Sequence, residues 1–251
     1  MGEYAKREKD FDMKKSLKGI SGVFRLFGVG RMMAFIILFT TAVNAVNAWF
    51  GYMTELAGGL WVGLTVGSSM CYMIAAAAVS TIFAQNYKLI YTMPMQASTV
   101  PAQMVGVVDL TSFACMALDV IAMLATGYRQ EILLKVCMHV MLYIVAQLVL
   151  YIFTRSSFRA GSNARNIVYA VLGFTGYMAG AIIYSTGMTI LEEQPDFCRE
   201  NLTWLIIALG VLGIAAAVVT ELVYKGVRNC VRQTKLYKVK KKKNELEASY
   251  V

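Results

Sequence analysis

Six apolar runs, each long enough to cross a lipid bilayer, constrain this chain more than any other feature. A hydrocarbon core about 30 Å thick takes roughly 20 residues of helix, and the stretches at 32–53, 60–85, 103–126, 131–153, 165–188 and 203–224 all reach that length. Their apolar residues are continuous rather than alternating. Helices satisfy their own backbone groups in lipid, so helices are expected here and a strand barrel is not. The expected fold is an all-α integral membrane protein with six transmembrane helices. Only 16% of the 251 residues are charged, against about one quarter in soluble domains. One histidine and so few charges leave little material for a polar active site, so no catalytic residues are assigned and no enzyme is expected. The five cysteines form no CxxC pair, and neither a disulfide framework nor a metal site is expected.

The basic residues fix an orientation. Eight of the 24 Lys and Arg precede the first run, three lie in the 154–165 loop and nine follow the sixth run, whereas Arg129 and Arg199 are the only two in the remaining loops apart from Lys88. By the positive-inside rule the N- and C-termini are cytoplasmic, and an even number of spans agrees. Loops 54–59, 127–130 and 189–202 are then external and short. Charge persists from Lys6 to Arg31 ahead of a span-length run, so no cleavable signal is expected.

Three regions outside the spans carry information. In residues 1–31, a basic cytoplasmic tail, Leu17, Ile20, Val23, Phe24 and Phe27 recur at helical spacing with Lys14, Lys15, Lys18 and Arg25 largely elsewhere on the wheel. This favours an amphipathic helix lying in the membrane interface over a merely basic tail, while Gly19, Gly22, Gly28 and Gly30 weaken that helix and mark breaks or a bend into the first span. The loop at 86–101 holds two of the three prolines, Pro94 and Pro101, which break helix on either side of a short apolar element. Such an element facing the cytoplasm is either a docking surface or a loop folded onto its own helix ends. Residues 225–251 continue the sixth run as a basic tail, expected to lie against anionic lipid or a protein partner rather than nucleic acid.

Ionisable and polar side chains inside apolar runs are functional candidates by default. They are Asp109, Asp119, Lys135 and His139, with Asn44 and Asn47 sharing a face of the first run. Asp119 and Lys135 stand eight residues on either side of Gly127. That spacing puts them at similar depth on adjacent helices and favours a structural ion pair over a proton or substrate role. His139 has no second histidine, and a helix-packing hydrogen bond is favoured over a metal. The Gly176-Tyr-Met-Ala-Gly180 spacing permits close helix approach and is expected to serve packing within the fold.

The six spans with both termini inside, the interfacial N-terminal helix, the loop residues Tyr91-Thr92-Met93-Pro94-Met95 and the stretch from Thr220-Glu221-Leu222 to Lys235-Leu236-Tyr237-Lys238 together resemble the permease subunit of a type-2 ATP-binding cassette (ABC) exporter. In that family a Leu-Pro-hydrophobic turn forms the coupling helix seated in the ATPase, and Met93, Pro94 and Met95 occupy its place. The resemblance implies two copies of a separate ATPase, which hold the ATP and magnesium. It also implies a second permease, in a homodimer or with a paralogue, and a location in the bacterial plasma membrane. This chain has no GxxxxGK[ST] loop of its own. The cargo expected is an amphipathic peptide or another lipophilic molecule. Two other readings remain, a non-transporting membrane scaffold or regulatory subunit, and an intramembrane enzyme, for which no catalytic constellation is found.

Overall fold

The computed structural model describes residues 28–50, 72–83, 99–126, 131–159 and 196–249, together with residues 167, 171, 175–176, 178–183, 186–187 and 190. Nearly all of them are helical, and among them there is no strand. In chain order the helices are α1 (Val29–Phe50), α2 (Tyr72–Phe83), α3 (Thr99–Thr126), α4 (Ile132–Arg159), the four-residue α5 (Phe197–Glu200) and α6 (Leu202–Ser249). The described residues between 167 and 190 are helical as well, apart from those named elements.

Among the described residues, three segments are long and apolar enough to cross a membrane: Val100–Ala125, Ile132–Phe158 and Leu202–Arg232. This is the character of a membrane protein, and it coincides with three of the six runs. The expected interfacial helix before residue 28 and the loop residues Tyr91, Thr92, Met93, Pro94 and Met95 lie outside the described residues.

Local chemistry accounts for where the helices begin and end. Gly28 has φ +66°, a left-handed conformation that a Cβ disfavours, and α1 starts at the next residue. Thus α1 begins three residues ahead of the expected span start at 32. Pro101 lies in the first turn of α3, where a missing N–H leaves no hydrogen bond broken. α3 therefore begins at Thr99 rather than 103. α4 runs past the expected 153 to Arg159, and α6 continues for 48 residues through the basic segment, which contains no proline.

The core lies where α1, α2, α3, α4 and the part of α6 from Val223 to Val231 meet. Val29, Met33, Phe83, Met104, Leu150, Phe153 and Val227 are buried there together. Hydroxyls stitch α2 to α4: Ser80 Oγ and Thr154 Oγ1 lie 3.1 Å apart, and both also bond helix carbonyls, so neither is left bare in the apolar interior. Gly176 brings its helix against α2, with Met73 Cγ 3.5 Å from where a Cβ would stand.

α6 packs most extensively along α4, yet only 6% of its apolar window is covered by the rest of the chain, against 39% and 50% for the windows in α3 and α4. Trp204, Val211, Ile214, Val218 and Leu222 are exposed on it, as a lipid-facing helix requires. Midway along α6, Lys225 Nζ and Glu221 Oε1 form an exposed ion pair at 3.0 Å, one turn apart.

Candidate functional site

Two polar networks are built across α2, α3, α4 and α6, and the helix periodicity of α4 creates both. His139, Tyr143 and Gln147 recur every fourth residue, so they stand one above another on a single face of α4. That face meets α3, which carries Asp119 and Asp109.

The first network centres on His139. Its Nε2 lies 2.7 Å from Asp119 Oδ2, and its Nδ1 lies 2.6 Å from the Tyr72 hydroxyl of α2. A proton on Nε2 satisfies the whole chain: Tyr72 O–H donates to Nδ1, and Nε2–H donates to the Asp119 carboxylate. All three side chains are buried. Lys135, also buried and one turn before His139, attracts Asp119 electrostatically. Sequence spacing paired Asp119 with Lys135 and gave His139 a separate packing bond. In the structure one carboxylate serves both, with the imidazole as its hydrogen-bond partner.

Replacing Tyr72 by Phe removes one neutral hydrogen bond and leaves Nδ1 bare in an apolar interior. The expected loss is about 1–2 kcal/mol of stability, measured by unfolding in mixed detergent micelles. Wild-type stability would mean that the Tyr72–His139 bond contributes nothing.

The second network centres on Asp109. Its Oδ1 accepts from the Tyr143 hydroxyl at 2.8 Å and from Gln147 Nε2 at 2.6 Å. The Tyr143 oxygen lies 2.6 Å from Thr220 Oγ1 of α6, which ties three helices to one carboxylate. Asp109 stands nine residues after Val100 and sixteen before Ala125, about 14 and 24 Å along the helix, and so lies deep within the apolar segment.

Both networks border one cavity of about 300 Å³. α3 contributes Asp109, Phe113 and Met116, spaced i, i+4, i+7; α4 contributes His139 and Tyr143; α6 contributes Gly213 and Ala216. The walls are mainly apolar, and the polar groups are few and convergent, which is the make-up of a site for a small organic molecule. The absence of a side chain at Gly213 keeps the α6 side open, and a Cβ there meets nothing within 4 Å.

Outside the spans, near the start of α4, burial pushes the Glu131 carboxyl above its ordinary range, and the Lys135 ammonium draws it part of the way back. Burial likewise raises the Cys198 thiol, with the Glu131 charge adding to the effect. No group of three or more His, Cys, Asp or Glu suited to a metal ion occurs among the described residues.

Asp109, Asp119, Lys135 and His139 are thus brought to the borders of one cavity or to the residues directly behind it. Asn44 and Asn47 lie in α1, with side chains outside the described set, while Thr40 on the same helix is buried. Sequence reasoning did not single out Tyr72, Tyr143 or Gln147, and it named Thr220 only as part of the stretch that carries the family resemblance. The four-residue spacing of His139, Tyr143 and Gln147 inside an apolar run was the available signal for two of them. Compared with known proteins, the chain matches no family model, no curated protein and no solved structure.

Proposed function

We propose that the chain is the transmembrane subunit of an ATP-driven exporter of the type-2 ABC kind, spanning the bacterial plasma membrane six times with both termini in the cytoplasm. Two permeases, identical or paralogous, form the path, and two copies of a separate ATPase engage the 86–101 loop through Tyr91, Thr92, Met93, Pro94 and Met95. ATP and magnesium belong to that ATPase. The cargo is an amphipathic peptide or other lipophilic molecule. The observation that supports a transport role over a scaffold is the cavity between α3, α4 and α6, deep in the apolar segments and bordered by Asp109, Tyr143 and His139. Ionisable groups at that depth are costly, and in membrane proteins they mark substrate and ion pathways. ATP-driven alternation would shift the populations of the states that open this cavity to either side.

Affinity purification of the tagged chain in mild detergent tests the reading. The expected result is a co-purifying chain with a GxxxxGK[ST] motif and ATPase activity, lost on Met95→Asp and weakened on Pro94→Ala. Recovery of the chain without any ATPase in several detergents would overturn it in favour of a membrane scaffold.

A further inference from the structure

Charge accounting around the cavity separates its two carboxylates. Asp119 is set against Lys135 and bonded by His139. Asp109, by contrast, meets only neutral partners among the described residues, the Tyr143 hydroxyl and the Gln147 amide. Both of those bonds end on Oδ1, and the carboxylate itself borders the cavity. A carboxyl in an apolar segment with no cation beside it among the described residues is relieved either by taking up a proton or by a positive charge brought to it, and the cavity on which it borders has room for the second. The surroundings say what kind of cation that is. Phe113 follows Asp109 by one helical turn on the same face, and Tyr143 faces it from α4. Rings beside a carboxylate are how proteins hold organic ammonium groups. Besides Asp109 and the Tyr143 hydroxyl, Ser112 brings a lining side-chain oxygen, fewer than the about six that a hard inorganic cation gathers, while Met116, Gly213 and Ala216 offer apolar or open surface. Phe113 is also largely exposed on the outer side of α3, so an apolar tail leaves the cavity along a lipid-facing surface.

We propose that this cavity binds the positively charged head of a lipophilic organic cation, with Asp109 as its counter-ion and the Phe113 and Tyr143 rings beside it. As the identity of the cargo this rests on the exporter reading, whereas the binding itself does not.

The test is equilibrium binding of tritiated dodecyltrimethylammonium to the full chain in dodecyl maltoside micelles, with empty micelles as the blank. The expected result is saturable binding of one probe per chain. Asp109→Asn keeps the size of the side chain and its bonds from Tyr143 and Gln147, yet is expected to weaken binding about tenfold or more. Gly213→Leu, which fills the cavity from a position with open space, is expected to do the same. Gly210→Leu, on the same helix at another open position that does not border the cavity, serves as the control and leaves binding unchanged. Three results would overturn the proposal: no saturable binding, equal affinity in Asp109→Asn, or equal displacement by dodecanol or by millimolar sodium. Binding that persists in a chain with no ATPase partner would remove the exporter reading and leave the site; a partnered chain without binding would do the reverse.

Discussion

Asp119→Leu is expected to lower the unfolding free energy by about 3–5 kcal/mol, because it strands one charge and one imidazole in the apolar interior. Asp119 is 2% exposed, and it both accepts the His139 hydrogen bond and balances Lys135, itself 3% exposed. Lys135 is the fourth residue of the Ile132–Phe158 segment, so its burial costs less than the about 2.5–3.5 kcal/mol of a lysine at the centre of a transmembrane helix. Glu131 still attracts Lys135 from the start of α4, which places the expectation nearer the lower figure. Unfolding in mixed detergent micelles measures the loss. The paired change Asp119→Leu with Lys135→Leu removes both charges and is expected to recover most of it, since apolar replacement of a whole buried pair is often neutral. A single variant as stable as the wild type would mean that the buried acid contributes nothing, and a double variant no better than the single would place the whole effect in the His139 bond.

That same cluster shows what the sequence disclosed and what it withheld. Residues 103–126, 131–153 and 203–224 were legible as helical membrane segments because length and apolar content alone decide whether a segment can enter lipid, and α3, α4 and α6 contain them apart from Glu131. Helix ends were less legible. A proline in the first turn leaves a helix intact, so Pro101 did not delay α3, and the basic stretch after Lys225 contains nothing that stops a helix, so α6 ran on. Asp109, Asp119, Lys135 and His139 stood out because ionisable groups are rare in such runs. Which of them touch was hidden for a geometric reason. Lys135 and His139 are one turn apart on the same face, and hairpin depth brings both within reach of Asp119 without choosing between them. Tyr72, Tyr143 and Thr220 were hidden for a chemical reason: tyrosine and threonine are ordinary in apolar runs, and only the partner across the interface makes them part of a site.

Gly226→Leu is expected to cost about 3 kcal/mol, the upper part of the range for overpacking. A Cβ at Gly226 would stand 2.5 Å from Tyr151 Cε2 and 2.8 Å from Cδ2, so the side chain collides with the edge of a rigid ring rather than the end of a flexible chain. This is the interface at which α6 packs along α4, and the neighbouring Val223 and Val227 are 3% and 0% exposed. Moving the ring or the helix therefore disturbs contacts already closed. Gly210 gives the contrast. It lies on the same helix with nothing within 4 Å of its would-be Cβ, and Gly210→Leu is expected to be neutral or to gain up to about 1 kcal/mol from helix propensity. Thermal unfolding of both variants in one detergent compares them directly, and Tyr151→Ala introduced with Gly226→Leu is expected to recover most of the loss by clearing the ring from the contact. Equal stability of the Gly226→Leu and Gly210→Leu proteins would mean that α6 does not approach α4 at this point, and that the small residue serves something other than helix contact.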